Sequence, residues 1–186
     1  MKIRNFTYSF ALLALLAFAG PASAQTATVP RLTMNANIEN ALRLDISKHA
    51  SGVAVNGSSG SFDMDFGNVN ALGVGTPSSN VSVAVTQGAG GAGFAMYTTP
   101  ILVTPVFSGF GAQTATIALT IGSGTNDALA FEGTTAAGVT LAAARVVVAS
   151  SLSDVANTRY VGFRISKLEG AGPINAVLVY TVTMNP

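Results

Sequence analysis

The sequence predicts an all-β protein, an antiparallel β-sandwich of about eight to ten short strands. Two observations carry this prediction. Apolar and polar residues alternate along most of the chain, which places the apolar side chains on one face of each strand. Clusters rich in Gly, Asn, Ser and Pro separate the alternating segments at nearly regular intervals, and no segment has a convincing helical pattern.

The first 24 residues have the three zones of a secretory signal peptide: a basic start, an apolar stretch and a small-residue cleavage site. The apolar stretch, Phe10–Ala19, is about half as long as a membrane-spanning helix needs to be. Cleavage after Ala24 would leave Gln25 as the first residue of the mature chain. We therefore expect an exported protein without a transmembrane span, in which residues 25–38 form an N-terminal arm and residues 39–186 form one β-sandwich domain.

The segment Leu32–Ile46 has the clearest alternation in the chain. Its fifteen residues would span roughly 50 Å when extended, whereas a typical strand spans about 17–20 Å. The pattern breaks at Asn40 and Ala41, so we expect the segment to divide there. Two alternatives stay open. Both halves belong to the domain's own sheets, as two strands or one bent strand, or residues 28–38 form an extended strand that is added to a neighbouring copy. The inserted side chains would then be Leu32, Met34, Ala36 and Ile38.

Further alternating segments follow along the chain. The residues predicted to point into the core are Val81, Val83, Ile117, Leu119, Val161, Phe163 and Ile165. Ile101–Phe107 contains Pro105, which is typical of an edge strand or a bulge. Ala176–Met184 begins with a continuous apolar run, which predicts a central strand buried on both faces. Thr140–Leu152 allows a strand or a helix, and its three consecutive valines favour the strand.

The composition argues against several classes of function. Charged residues make up 9% of the chain and the net charge is +1, so clustered basic residues for binding nucleic acid are lacking. The absence of cysteine excludes disulfides, zinc–cysteine sites, iron–sulfur clusters and thiol catalysis. We predict no enzymatic activity, no cofactor and no metal. The low charge also suits a subunit that packs against copies of itself, because little repulsion keeps the copies apart.

Three local patterns resemble binding or catalytic motifs but lack the partners that the chemistry needs. Gly88–Gly93 fits a dinucleotide-binding glycine pattern, yet only six residues separate it from Pro100, so a hairpin or loop is predicted instead of a helix. Asp63 and Asp65 share a strand face, with Asn68 and Asn70 close behind, but no Glu completes the calcium-loop pattern, and a weak surface calcium site stays open. His49 lies in a polar loop, and the chain has no nucleophile elbow.

The segment Phe62–Val69, with the sequence FDMDFGNV, resembles the LDFG strand of bacterial surface-fibre subunits, the archaic chaperone–usher pilins and spore-coat-U-like domains. The last strand, Tyr180–Met184, is similar to the C-terminal strand of such subunits. The order of signal peptide, alternating arm and β-sandwich agrees as well. The resemblance implies an immunoglobulin-like fold that is completed by the N-terminal strand of a neighbour. It also implies a periplasmic chaperone and outer-membrane assembly machinery as partners.

These observations together predict a secreted structural subunit. It would pass through the periplasm and assemble with copies of itself into a pilus-like filament or fimbrium on the cell surface, by N-terminal strand addition. The alternative is a monomeric envelope binding module that uses its Gly-rich loops to hold a glycan or a peptide.

Overall fold

The computed structural model describes residues 34–58, 60–89, 92–137, 139–140 and 144–186. Within these ranges the chain forms β-strands and one short 3-10 helix, Asp127–Leu129, and none of these residues forms an α-helix. The strands are β1 (Ala41–Lys48), β2 (Asn56–Ser58), β3 (Ser61–Asp63), β4 (Ser82–Thr86), β5 (Phe94–Ser108), β6 (Ala115–Ile121), β7 (Ala130–Gly133), β8 (Val139–Thr140), β9 (Arg145–Ser151), β10 (Asn157–Ser166) and β11 (Leu178–Met184). The predicted all-β class is therefore confirmed.

The strands form three sheets, and the strand pairs within them are antiparallel. The largest sheet has the order β1-β5-β10-β7-β8, with β4 pairing to β5 beside β1. The second sheet has the order β11-β6-β9, and β2 pairs with β3 in a small hairpin. The antiparallel prediction is confirmed, whereas the immunoglobulin-like arrangement stays a prediction.

Side chains from both larger sheets form a common hydrophobic core. Its buried members include Tyr97, Ile101 and Val161 from the larger sheet and Ile117 from the smaller one. A second cluster around Leu119 and Ala130 adjoins it through Leu178 and Tyr180. Four predicted core residues are buried as expected: Ile117, Leu119, Val161 and Ile165. Val81 and Phe163 also pack against the core but remain partly exposed.

Strand β4 departs from the prediction that its valines point into the core. Val83 is 37% exposed and Val85 is also exposed. A loop runs past both of them: a Cβ at Gly73 would collide with Val85 and would lie 3.3 Å from Val83 Cγ1. The prediction for Val83 is wrong because this outer strand meets a surface loop there. Alternation predicts that a strand has an apolar face, but it does not show whether the core or a surface loop covers that face.

Strand β5 contains Pro105 although it lies between other strands of the sheet. The strand pairs with β10 over Phe94–Val103 and with β1 over Ile101–Ser108. Pro105 lies beyond the end of β10, and its carbonyl accepts a hydrogen bond from the Asp154 amide at 2.9 Å. Because the nitrogen and carbonyl of a residue point to the same side of a strand, the missing N–H of Pro105 removes no bond to β1 or β10. The prediction of an edge is right locally and wrong for the strand as a whole.

Strand β11 is a correction to the prediction of a central strand buried on both faces. It lies at the end of the three-stranded sheet, and residues exposed to solvent alternate with partly buried ones along it. The apolar run that suggested two buried faces includes Val177 and Val179, which are both exposed. The ambiguous segment Thr140–Leu152 is a strand over Arg145–Ser151, and residues 141–143 lie outside the described ranges.

The segment Phe62–Val69, which carries the family resemblance, places Phe66 in the core and then turns at Gly67. Phe66 packs its ring edge-to-face on Phe163, with 5.1 Å between the ring centroids. Gly67 follows with φ 70°, a conformation that glycine adopts without strain, and it forms a β-bridge with Pro77. The glycine therefore lets the chain leave the core directly after Phe66.

The chain divides into two compact units, Met1–Asn37 and Ile38–Pro186. The predicted signal peptide and the arm up to residue 33 lie outside the described residues. None of the helices in the described part is long and apolar enough to cross a membrane.

Candidate functional site

The outer edges of β1 and β11 are candidates for strand pairing. Among the described strands, β1 pairs only with β5 and β11 pairs only with β6. Each therefore presents backbone N–H and C=O groups along its other edge, which is a template for an added strand. The two strands belong to different sheets, and residues of both strands line one gap between the sheets.

A groove of about 520 Å³ occupies this gap, and most of its lining residues are apolar, although its exposed surface includes polar groups as well. We call it the edge groove. Residues of both larger sheets line it, and so do Phe66 and residues of the β2–β3 hairpin; those from the two sheets include Leu44, Ile46, Val161, Phe163, Leu178 and Tyr180. Asp63 is the one charged side chain among the described residues that line the groove. A groove of this character favours apolar side chains and excludes charged ones, because burying an unpaired charge is costly.

Tyr180 lies in the wall of the edge groove and carries a polar group with an unusual environment. Its hydroxyl is buried and makes no hydrogen bond within the described part of the chain. Burial raises the pKa of this hydroxyl well above its ordinary value, the Glu132 carboxylate raises it further, and Arg159 and Arg145 oppose the increase. The hydroxyl therefore stays protonated and offers a donor that has no acceptor.

The predicted donor residues lie in an extended stretch before the first strand. Leu32 is outside the described residues, and Met34, Ala36 and Ile38 belong to no strand. Met34 is 86% exposed and Ile38 is 88% exposed. Strand β1 begins at Ala41, where the alternating pattern breaks. Two large apolar side chains on one face of this stretch thus have no described packing partner.

The other sequence candidates stay apart from the edge groove or lack a reactive arrangement. The Gly88–Gly93 loop joins β4 to β5, two strands that pair with each other. His49 contacts Ser51, with 3.0 Å between Nδ1 and Oγ, in an exposed turn. Asp65 accepts a hydrogen bond from the Gly67 amide at 2.8 Å. Within the described ranges, no three His, Cys, Asp or Glu side chains come together as a metal site.

A cluster of buried charges that the sequence patterns did not predict lies on the opposite side of the core. The Glu132 side chain is fully buried and accepts hydrogen bonds from the side chains of Arg145 and Arg159. Arg145 lies on β9 and Glu132 on β7, so the contact joins the two larger sheets. One signal could have found it. Arg159 has the same parity as Val161 and Phe163, which predicts an inward-pointing arginine that needs a buried partner.

No family model, curated protein or solved structure matches this chain. The case for its function therefore rests on the edge groove, the exposed arm and the buried charges.

Proposed function

We propose that this protein is a structural subunit that joins copies of itself into a filament by strand addition. The N-terminal arm of one copy, residues 28–38, would enter the edge groove of the next copy. The observation that carries the proposal is a groove lined mostly by apolar residues beside two unpaired strand edges, in a chain whose described residues before β1, 34–40, are exposed. An immunoglobulin-like sandwich completed in this way is the finer form of the proposal.

The chemistry of the arm suits the chemistry of the edge groove. Leu32, Met34, Ala36 and Ile38 would face the groove, and the alternate residues would face solvent. Burial of the three larger side chains contributes about 1.5–3 kcal/mol each before ordering costs. Pairing with β1 or β11 would satisfy backbone groups that the isolated subunit leaves to water.

The same geometry explains why the product would be a filament. The arm leaves a subunit immediately before β1, whereas the acceptor is a different surface of the next subunit. A contact between two different surfaces is head-to-tail, and it continues indefinitely unless a rotation closes a ring. Each subunit would then be both donor and acceptor.

Export is part of the proposal. The signal peptide in residues 1–24 would send the chain into the periplasm and the filament would stand on the cell surface. A periplasmic chaperone and outer-membrane assembly machinery are the partners that the family resemblance implies. N-terminal sequencing of protein from the cell envelope should give Gln25 as the first residue. An intact Met1 would contradict this part of the proposal.

The decisive experiment places one negative charge on either of the two faces of the arm. Met34→Asp would bury a carboxylate in the edge groove, whereas Asn35→Asp would place the same carboxylate on the solvent face. We expect multimers from the wild type and from Asn35→Asp, and monomers from Met34→Asp, by light scattering and electron microscopy. A synthetic peptide of residues 25–40 should bind to the Met34→Asp protein and raise its melting temperature.

Three outcomes would contradict the proposal. Equal assembly of both variants would show that the arm does not insert with the proposed face. Unchanged multimers after deletion of residues 25–38 would show that another surface holds the copies together. A wild-type protein that stays monomeric at high concentration would favour the monomeric binding module instead.

A further inference from the structure

The buried charges around Glu132 are not balanced. Two guanidinium groups contact one carboxylate, and no other described residue forms an ion pair with Arg145 or Arg159. The nearby Tyr180 hydroxyl is held in its neutral form and supplies no compensating charge. The cluster therefore carries a net charge of about +1 in a place where an uncompensated charge is costly.

The surplus charge faces an open pocket. This pocket has a volume of about 310 Å³, and we call it the arginine pocket. Its lining includes Arg145, Arg159, Gly133, Thr134 and Thr135. It does not share a lining residue with the edge groove, so the two are separate sites.

Arg159 lines this pocket and has hydrogen-bonding groups to spare. Its side chain is only 7% exposed, and its Nε donates to Glu132. Its two terminal nitrogens form no hydrogen bond with another described residue. Arg145 is 33% exposed and uses one terminal nitrogen for both the side chain and the backbone carbonyl of Glu132. Donors that are nearly buried, cationic and unpaired are suited to an anion.

We propose that the arginine pocket binds the carboxylate of a small organic acid about the size of a uronic sugar. The planar guanidinium matches a carboxylate with two parallel hydrogen bonds, and the incoming charge neutralises the cluster. A carboxylate alone would leave much of the pocket empty, whereas a volume of this order holds a small ligand. Thr134 and Thr135 line the same pocket, and a threonine hydroxyl is a group that can bind the hydroxyl groups of a sugar ring.

The test is calorimetric titration of the mature protein, at constant ionic strength, with glucuronate, glucose and acetate. We expect saturable binding of glucuronate in the millimolar range or tighter, with binding of acetate about tenfold weaker and no binding of glucose. Absence of saturable glucuronate binding up to about 20 mM would overturn the proposal. Equal binding of acetate and glucuronate would overturn the assignment of a sugar-sized ligand.

Variants locate the site. Arg145→Gln leaves Glu132 and Arg159 as a neutral pair and should weaken glucuronate binding at least about tenfold, because one charge-assisted hydrogen bond is worth that factor. Arg43→Gln removes the same charge from an exposed strand and should bind like the wild type. Thr134→Val keeps every charge and should weaken glucuronate more than acetate, so a folding defect in Arg145→Gln does not remove the test. Unchanged binding in both Arg145→Gln and Thr134→Val would overturn the assignment.

Discussion

The two open sides of the molecule differ in how the gap between the sheets is filled. On one side, β1 and β11 end their sheets with unpaired edges, and apolar side chains line the edge groove between them. On the other side, β9 ends its sheet and Arg145 reaches across to Glu132 on β7. Three charged side chains thus meet in the gap on one side, whereas Asp63 is the one charged residue among the described residues that line the groove on the other.

Under the proposed strand addition, this difference would decide which side of the molecule receives a neighbour. A buried ion pair that joins two sheets resists a strand entering there, because separating the partners would leave charges unpaired. An apolar groove gains free energy when it is covered. If copies associate by the proposed strand addition, we expect the contact on the side of β1 and β11 and not on the side of β7 and β9.

The largest effect is expected from removing the carboxylate of the charged side. Glu132→Gln would leave two guanidinium groups without a counter-charge, and we expect the free energy of unfolding to fall by about 3–5 kcal/mol. Urea unfolding of the mature protein measures this. The matched control, Glu39→Gln, removes an exposed carboxylate and should change stability by less than about 0.5 kcal/mol. A loss below about 1 kcal/mol for Glu132→Gln would show that the cluster is not what holds this side together.

Truncating one apolar side chain in the subunit's own core and one in the wall of the edge groove should have different effects on stability once the groove is covered. Leu119 is fully buried within one subunit, so Leu119→Ala should cost about 2–5 kcal/mol in monomer and filament alike. Phe163 lies in the wall of the edge groove and is partly exposed, so Phe163→Ala should cost about 3 kcal/mol in the monomer. Its cost should grow once the arm peptide is bound. If Phe163→Ala costs the same stability with and without the arm peptide, the peptide does not cover the groove.

The alkaline limit of stability should depend on Tyr180. Burial raises the pKa of its hydroxyl above the ordinary value of 10.0, so the folded protein keeps the proton when the unfolded chain begins to lose it. This contribution to stability is complete below pH 10.0 and is lost as the pH rises above it. Above this pH, the free energy of unfolding of the wild type should fall by up to about 1.4 kcal/mol more per pH unit than that of Tyr180→Phe. Parallel pH profiles for the two proteins would place the hydroxyl in contact with water.

The smallest effect is expected from removing the surplus charge. Arg145→Met keeps an apolar stem and leaves Glu132 paired with Arg159, so the free energy of unfolding should change by less than about 1 kcal/mol. Thermal unfolding at two salt concentrations measures it. A loss above about 3 kcal/mol would show that Glu132 depends on Arg145 more than on Arg159.

The sequence predicts the strands that share one buried face and fails where long-range neighbours decide. Alternation identifies Ile117 and Val161 as core residues because their faces meet the opposite sheet. It misplaces Val83, which meets a loop, and the apolar run near Val179, which lies on an edge. The Glu132 cluster joins positions 13 and 27 residues apart, so no local pattern contains it. The edge groove is likewise a property of sheet order, which a single sequence does not encode locally.

The position of the unpaired edge on β11 has a mechanical consequence. An arm paired with the seven residues of β11 would extend along that strand, and at residue 39 it would continue into the subunit that donates it. Tension on the filament would then pull along the strands and load all the hydrogen bonds of the junction together. Peeling would instead open them one after another at a much lower force. Rupture of a single junction in an optical trap should therefore occur as one abrupt event, and a hairpin-like, stepwise extension should be absent.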